Sequence, residues 1–116
     1  MEYVCLIYQT PDARPSDPKE MEKIYEAYGR LAAEASERGI MRGGHELTPV
    51  TSATTVRVRD GKAIVTDGPF AETKEVLLGF MSFECPSLDE ALKWAARIPG
   101  AAMGCVEVRP VVERDR

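Results

Sequence analysis

Val4-Cys5-Leu6-Ile7-Tyr8 decides how this chain folds, together with the run from Asp17-Pro18-Lys19-Glu20 to Gly39 that follows a proline-rich loop. The first stretch is apolar at odd and even positions alike. A strand with one wet face would alternate, so this one reads as covered on both sides. Pro11, Pro15 and Pro18 mark the loop. Asp17 is placed to cap a helix, Pro18 suits its first position, and Glu20 stands where a capping-box carboxylate would reach back. Met21, Ile24, Tyr25, Tyr28, Leu31, Ala32 and Ala35 then recur at helical spacing, and Gly39 is a natural stop.

Outward from this unit the texture turns to strands. Ile40–Leu47 carries Gly43-Gly44-His45, Thr54–Arg59 is β-branched and alternates, and Asp60-Gly61 is a strong hairpin signal ahead of Lys62–Thr66. Asp67-Gly68-Pro69-Phe70 reads as a turn. Val76–Glu84 is another apolar strand, in which Gly79 either weakens the pairing or admits a close neighbour. Ser87-Leu88-Asp89-Glu90 repeats the capping pattern and opens a second helix with Leu88, Ala91, Leu92, Ala95 and Ile98 as its buried stripe. Pro99-Gly100 ends it, and Val106–Val111 is the last strand. The order is β-α-β, an inserted β-hairpin, then β-α-β, which predicts an α+β protein. Its form is a ferredoxin-like split βαβ with two helices on one face of an antiparallel sheet. Two helices cover one face only, so a second copy packed sheet against sheet is expected, making a homodimer.

The chain has 116 residues, 44% of them hydrophobic and 29% charged, with a net charge of −4. This predicts a single domain over 1–116 with a core of its own, and excludes a disordered chain. A pI of about 5.1 argues against a nucleic-acid binder or a binder of anionic membrane. The apolar runs are far short of the ~20 residues a membrane span requires. Met1-Glu2-Tyr3-Val4 has no basic leader, so a cytoplasmic protein is expected. Cys5, Cys85 and Cys105 lie far apart in apolar stretches and read as buried thiols of a reducing compartment. No P-loop, serine elbow or dinucleotide fingerprint occurs. A lone histidine without clustered Cys, Asp or Glu predicts no metal, and no cofactor is expected.

Asp67 is the first candidate site residue. Backbone amides converging on its carboxylate would hold it ionised as a base or an anchor for a cation; alternatively, its side chain closes the turn. His45 is the one group whose ordinary pKa lies near neutrality, and it follows two glycines where backbone can approach a ligand. Asp67 or Glu72 would orient its ring, since the strand pleat sends adjacent Glu46 the other way. Tyr28 lies on the apolar helix stripe, and its phenol needs a partner if buried. Arg57 and Arg59 share a face opposite Val56 and Val58, as Glu107 and Arg109 do opposite Val106 and Val108. These charges either line a wet cleft between sheets or form weak surface pairs. Glu72-Thr73-Lys74-Glu75 is a polar loop that either binds a ligand or is simply solvated.

Thr54-Thr55-Val56-Arg57-Val58, the run Val65-Thr66-Asp67-Gly68-Pro69-Phe70-Ala71-Glu72-Thr73-Lys74-Glu75, Gly79-Phe80 and Glu107-Val108-Arg109-Pro110 together resemble the signature of YCII-related proteins, specifically the DGPF-domain subgroup. The likeness covers essentially the whole chain. It implies a ferredoxin-like fold that dimerises into an α/β barrel. Some members of the wider family hold a His–Asp pair in the dimer cleft, which implies an enzyme. Counting back from Gly39 to that helical histidine lands here on Tyr28, while His45 sits in the following strand, so the pair does not carry over. The subgroup also implies an association with a sigma factor. Two functions are therefore expected. In one, the protein binds or transforms a small polar metabolite in a dimer cleft. Asp67 is then base or anchor, His45 acid/base, and Tyr28, Arg57, Glu72 and Arg109 contact the ligand. In the other, it is a non-catalytic regulatory or interaction module working with a sigma factor.

Overall fold

The central strand of the computed structural model, which describes residues 1–114, is β1 (Glu2–Gln9). Residues 115 and 116, at the end of the expected domain, lie outside the described part. β5 (Val76–Glu84) pairs antiparallel with one edge of β1, and β6 (Cys105–Pro110) with the other. β2 (Met41–Glu46) adds antiparallel to the far edge of β5, giving the order β2-β5-β1-β6. The crossovers are α1 (Pro18–Glu37) between β1 and β2, and α2 (Leu88–Ala96) followed by the short α3 (Gly100–Met103) between β5 and β6. The result is an α+β architecture compatible with the ferredoxin-like split βαβ. No helix among the described residues is long and apolar enough to cross a membrane.

Local chemistry explains the element ends. The Asp17 carboxylate accepts from the Lys19 N–H at 3.0 Å with Pro18 next in line, and the Ser87 hydroxyl accepts from the Glu90 N–H at 3.3 Å. Glu20 does not complete a capping box; it pairs with Lys23 at 3.3 Å one turn on. Gly39 takes φ +72° just past α1, the left-handed position that favours glycine.

Alternation along β1 buries Tyr3, Cys5, Ile7 and Gln9 under the helices. Glu2, Val4, Leu6 and Tyr8 point to the opposite face, where they are only half-buried in the single chain. Met81 and Phe83 of β5, Leu31 and Ala35 of α1, and Ala91, Trp94, Ala95 and Ile98 complete the core. The stripe expected for the second helix holds at Ala91, Ala95 and Ile98 and is corrected at its other two positions. Leu88 and Leu92 are exposed, and Trp94 turns inward instead, stacking on Phe83 with ring centroids 5.7 Å apart. The guanidiniums of Arg97 and Arg38 lie 4.7 and 5.5 Å from the Trp94 ring. Arg97 in turn grips Glu34 of α1 through two bonds of 2.6 and 3.0 Å, which ties the helices together. A second correction concerns Cys105, which is exposed, unlike buried Cys5 and Cys85. Pleating puts it beside Glu107 and Arg109 on the uncovered face, with its thiol 3.3 Å from the Glu75 carboxylate.

β3 (Thr54–Arg59) and β4 (Lys62–Asp67) form a separate two-stranded sheet. Their turn is the expected tight one, with φ of 51° at Asp60 and 75° at Gly61. Gly79 proves to admit a close neighbour. A Cβ there would stand 2.4 Å from the His45 carbonyl oxygen, and one at Gly44 would stand 2.8 Å from that of Phe80. Gly29, inside α1, has nothing within 4 Å of the same position. Gly79→Ala is therefore expected to cost about 1–3 kcal/mol by forcing β2 away from β5. Gly29→Ala should instead stabilise by about 0.5–1 kcal/mol through helix propensity. Chemical denaturation of both variants checks this, and equal effects would show that β2 does not sit this close to β5.

Candidate functional site

A cavity of about 330 Å³ lies between the N-terminal half of α1 and the β2–β5 end of the sheet. Its origin is the glycine pair. Gly44 and Gly79 fall in register with Met81 and Glu46 on the helix-facing side, so bare backbone lies where side chains would meet α1. Met21, Ile24, Tyr28 and Ala32 hang over this gap and stay half-buried, while Leu31 and Ala35 further along are in the core. Met41, Met81 and Ile7 contribute to the apolar wall.

Polar groups collect at one side. Arg14, from the proline-rich loop, places Nη1 2.8 Å from Oε2 of Glu46. The Tyr25 hydroxyl donates to the same carboxylate oxygen at 2.9 Å. That bond, followed by burial, holds the Tyr25 phenol above its ordinary pKa. Tyr28 accepts from the Gly100 N–H at 3.1 Å, and burial raises its pKa, keeping the phenol protonated as a donor. Nearby, Gln9 is buried with its side-chain carbonyl oxygen unpartnered among the described residues. A Cβ built at Gly100 would lie 2.8 Å from the Tyr28 hydroxyl and 3.1 Å from Gln9 Nε2, so these two polar groups share one crowded corner.

Of the residues singled out from the sequence, Tyr28 and His45 border this cavity, but register puts the His45 side chain with Phe80 on the face away from α1. His45 is exposed on β2, its ring edge-on to Phe80 at 5.9 Å. Asp67 ends β4 in the other sheet, opposite Thr54, and is exposed. Amides do not converge on its carboxylate among the described residues. Gly68, at φ +97°, sends its N–H to the Ala53 carbonyl at 2.7 Å, and the Thr55 hydroxyl closes the turn on the Gly68 carbonyl at 2.8 Å. Arg57 is on the hairpin, Glu72 is exposed in the loop after it, and Arg109 sits 3.9 Å from Glu107 on the uncovered face. None of these four lines the cavity. Sequence reasoning missed Arg14, Glu46 and Tyr25 as a polar group, and Gln9 beside Tyr28. Only the pleat of β2 hinted at it, by turning Glu46 away from His45 and toward α1. Among the described residues no group of three or more His, Cys, Asp or Glu side chains is placed to hold a metal ion.

The protein is thus a small α+β domain with an apolar cavity beneath its longest helix and charged groups at the mouth. Residues 1–115 match the YCII-related domain, and the chain belongs to that family. It is similar to an uncharacterised protein of Rhizobium meliloti, with 40% identity over 114 residues that cover 96% of this chain and 92% of the relative.

Glu46→Gln is expected to lower the Tyr25 phenol toward its ordinary pKa, read by ultraviolet titration of the phenolate with Tyr25→Phe marking which transition is affected. The raised value favours the protonated phenol in the fold. Its contribution to stability is therefore present below the ordinary phenol pKa and fades as pH rises through the raised one. An unmoved titration in Glu46→Gln would show that the Tyr25–Glu46 bond does not form.

Proposed function

We propose that the cavity beneath α1 binds a small molecule with an apolar body and an anionic end. The supporting observation is the combination of volume and lining. About 330 Å³ falls within the range of ligand sites, and such sites pair an apolar wall with a few convergent polar groups. The body would lie among Ile24, Ala32, Met41 and Met81. Arg14 would turn its guanidinium from Glu46 to the anionic group, for which its fork is suited. Tyr28, held neutral by burial, would donate a hydrogen bond. Acid–base chemistry in this cavity would fall to Tyr28, since register puts the His45 ring with Phe80 on the opposite face of the sheet. Asp67, Arg57, Glu72 and Arg109 would join it only from a second copy.

That second copy belongs to the same reading. Val4, Leu6, Tyr8 and Phe80 form a half-buried apolar band on the face the helices leave open. Two such faces packed together would complete the α/β barrel implied by the DGPF-like signature. Binding is then the property of a homodimer with one cavity in each subunit.

Anilinonaphthalene sulfonate is a suitable probe, having an aromatic body and an anionic group. Three of the five methionines, Met21, Met41 and Met81, line the cavity, so their methyl resonances report on it directly. Added probe is expected to shift those three and to leave Met1 and Met103 in place. Arg14→Ala and Tyr28→Phe should each weaken binding by about tenfold, as expected for loss of one hydrogen-bonding partner. Shifts spread evenly over all five methionines, or affinity indifferent to Arg14, would sink the proposal.

A further inference from the structure

The β3–β4 hairpin leaves an apolar surface in water that nothing among the described residues covers. Register puts Val56 opposite Val65 and Val58 opposite Ala63 on one face, with Arg57 opposite Ile64 and Arg59 opposite Lys62 on the other. Val56, Val58 and Val65 are 60%, 60% and 64% exposed, and Phe70 at the base of the arm is 77% exposed. None belongs to the core cluster. A lone two-stranded hairpin is marginally stable in water, and an uncovered, unbulged pair of strands invites further association. The arm also spreads the molecule. Its radius of gyration is 16.3 Å, against about 13 Å for a compact chain of this length.

The area identifies what fits. The chain exposes 8220 Å², whereas a compact monomer of 12.8 kDa exposes about 6,300 Å². The surplus is about 1,900 Å² per chain. Buried on each of two copies, it gives about 3,800 Å², within the span of obligate homodimer interfaces. Two-fold symmetry would use such a contact twice.

We infer that the β3–β4 hairpin is an intersubunit arm that lays its Val56–Val58–Val65 face on a second copy of this chain. The inference rests on the homodimer proposed above and adds a second contact to its sheet-to-sheet one. It also carries Asp67, which shares the valine face, away from its own subunit's cavity and onto the partner's surface.

Sedimentation equilibrium and amide hydrogen exchange test it on the full chain. The triple variant Val56→Ser, Val58→Ser, Val65→Ser changes only side chains exposed in the single chain, so its subunit fold is expected to persist, checked by circular dichroism. The wild type should be a dimer at micromolar concentration, with slow exchange at residues 54–67. The variant should dissociate at least tenfold more readily and lose that protection. A wild-type dimer whose dissociation is untouched by the triple variant, or whose arm exchanges freely, overturns the arm while leaving the dimer standing. A wild-type monomer overturns both, including one whose arm gains protection only with anionic vesicles or another protein.

Discussion

A side chain at position 79 cannot coexist with the carbonyl of His45. The point where its Cβ would stand is 2.4 Å from that oxygen, closer than any real contact. Gly44 makes the reciprocal approach from β2 toward Phe80. These glycines let β2 close on β5, and they leave the helix-facing surface of that end of the sheet without side chains. α1 is a rod of about 30 Å by its residue count. One half of it reaches the core with Leu31 and Ala35; the other half, with Met21, Ile24 and Tyr28, spans bare backbone. The edge of the sheet, the position of the cavity and the display of Glu46 toward Tyr25 and Arg14 all follow from this close approach.

Features that depend on a residue and its immediate neighbours were legible in the sequence. Asp17 and Ser87 cap their helices as expected, and Asp60-Gly61 turns the hairpin with both residues at positive φ. Val106 and Val108 turn toward the core while Glu107 and Arg109 turn away, because a strand alternates whatever lies above it. Legibility ended where one pattern fits two arrangements. Helical spacing in α2 admits a stripe through Leu88 and Leu92 or one through Trp94. What selects Trp94 is Phe83 beneath it and the arginines above, which arrive from other elements. Cys105 was misread because apolar neighbours in sequence are not neighbours on its face of the strand.

The candidate site shows the same division. Tyr28 and His45 stood out through a helix stripe and a titration range, which are properties of single positions. Arg14, Tyr25 and Glu46 come from a loop, a helix and a strand, and no spacing encodes their meeting at one carboxylate oxygen. Gln9 gave no signal at all. Its buried, unpartnered carbonyl oxygen is an unfavourable feature by itself, since an unmet polar atom costs about 1–3 kcal/mol. It lies in the same corner as Tyr28, whose hydroxyl proton has no acceptor among the described residues. Unmet hydrogen-bonding capacity and unfilled volume thus accumulate on one side of α1, whereas the opposite end of the helix is closed by Glu34, Arg97 and Trp94.

The chain therefore distributes its polar chemistry over two separate bodies. The four-stranded sheet with its helices carries the cavity, Tyr28, His45 and Arg14. The hairpin carries Arg57 and Asp67 on a two-stranded sheet that shares no strand pairing with the other. Among the described residues no hairpin residue lines the cavity, and the hairpin has neither a core of its own nor a place in the chain's core. An insertion that is both apolar and uncovered gains stability only by contact with another surface. A second copy would supply that surface. Burial of the valine face would then stabilise the arm and the dimer together, carrying Asp67 of one subunit toward the other.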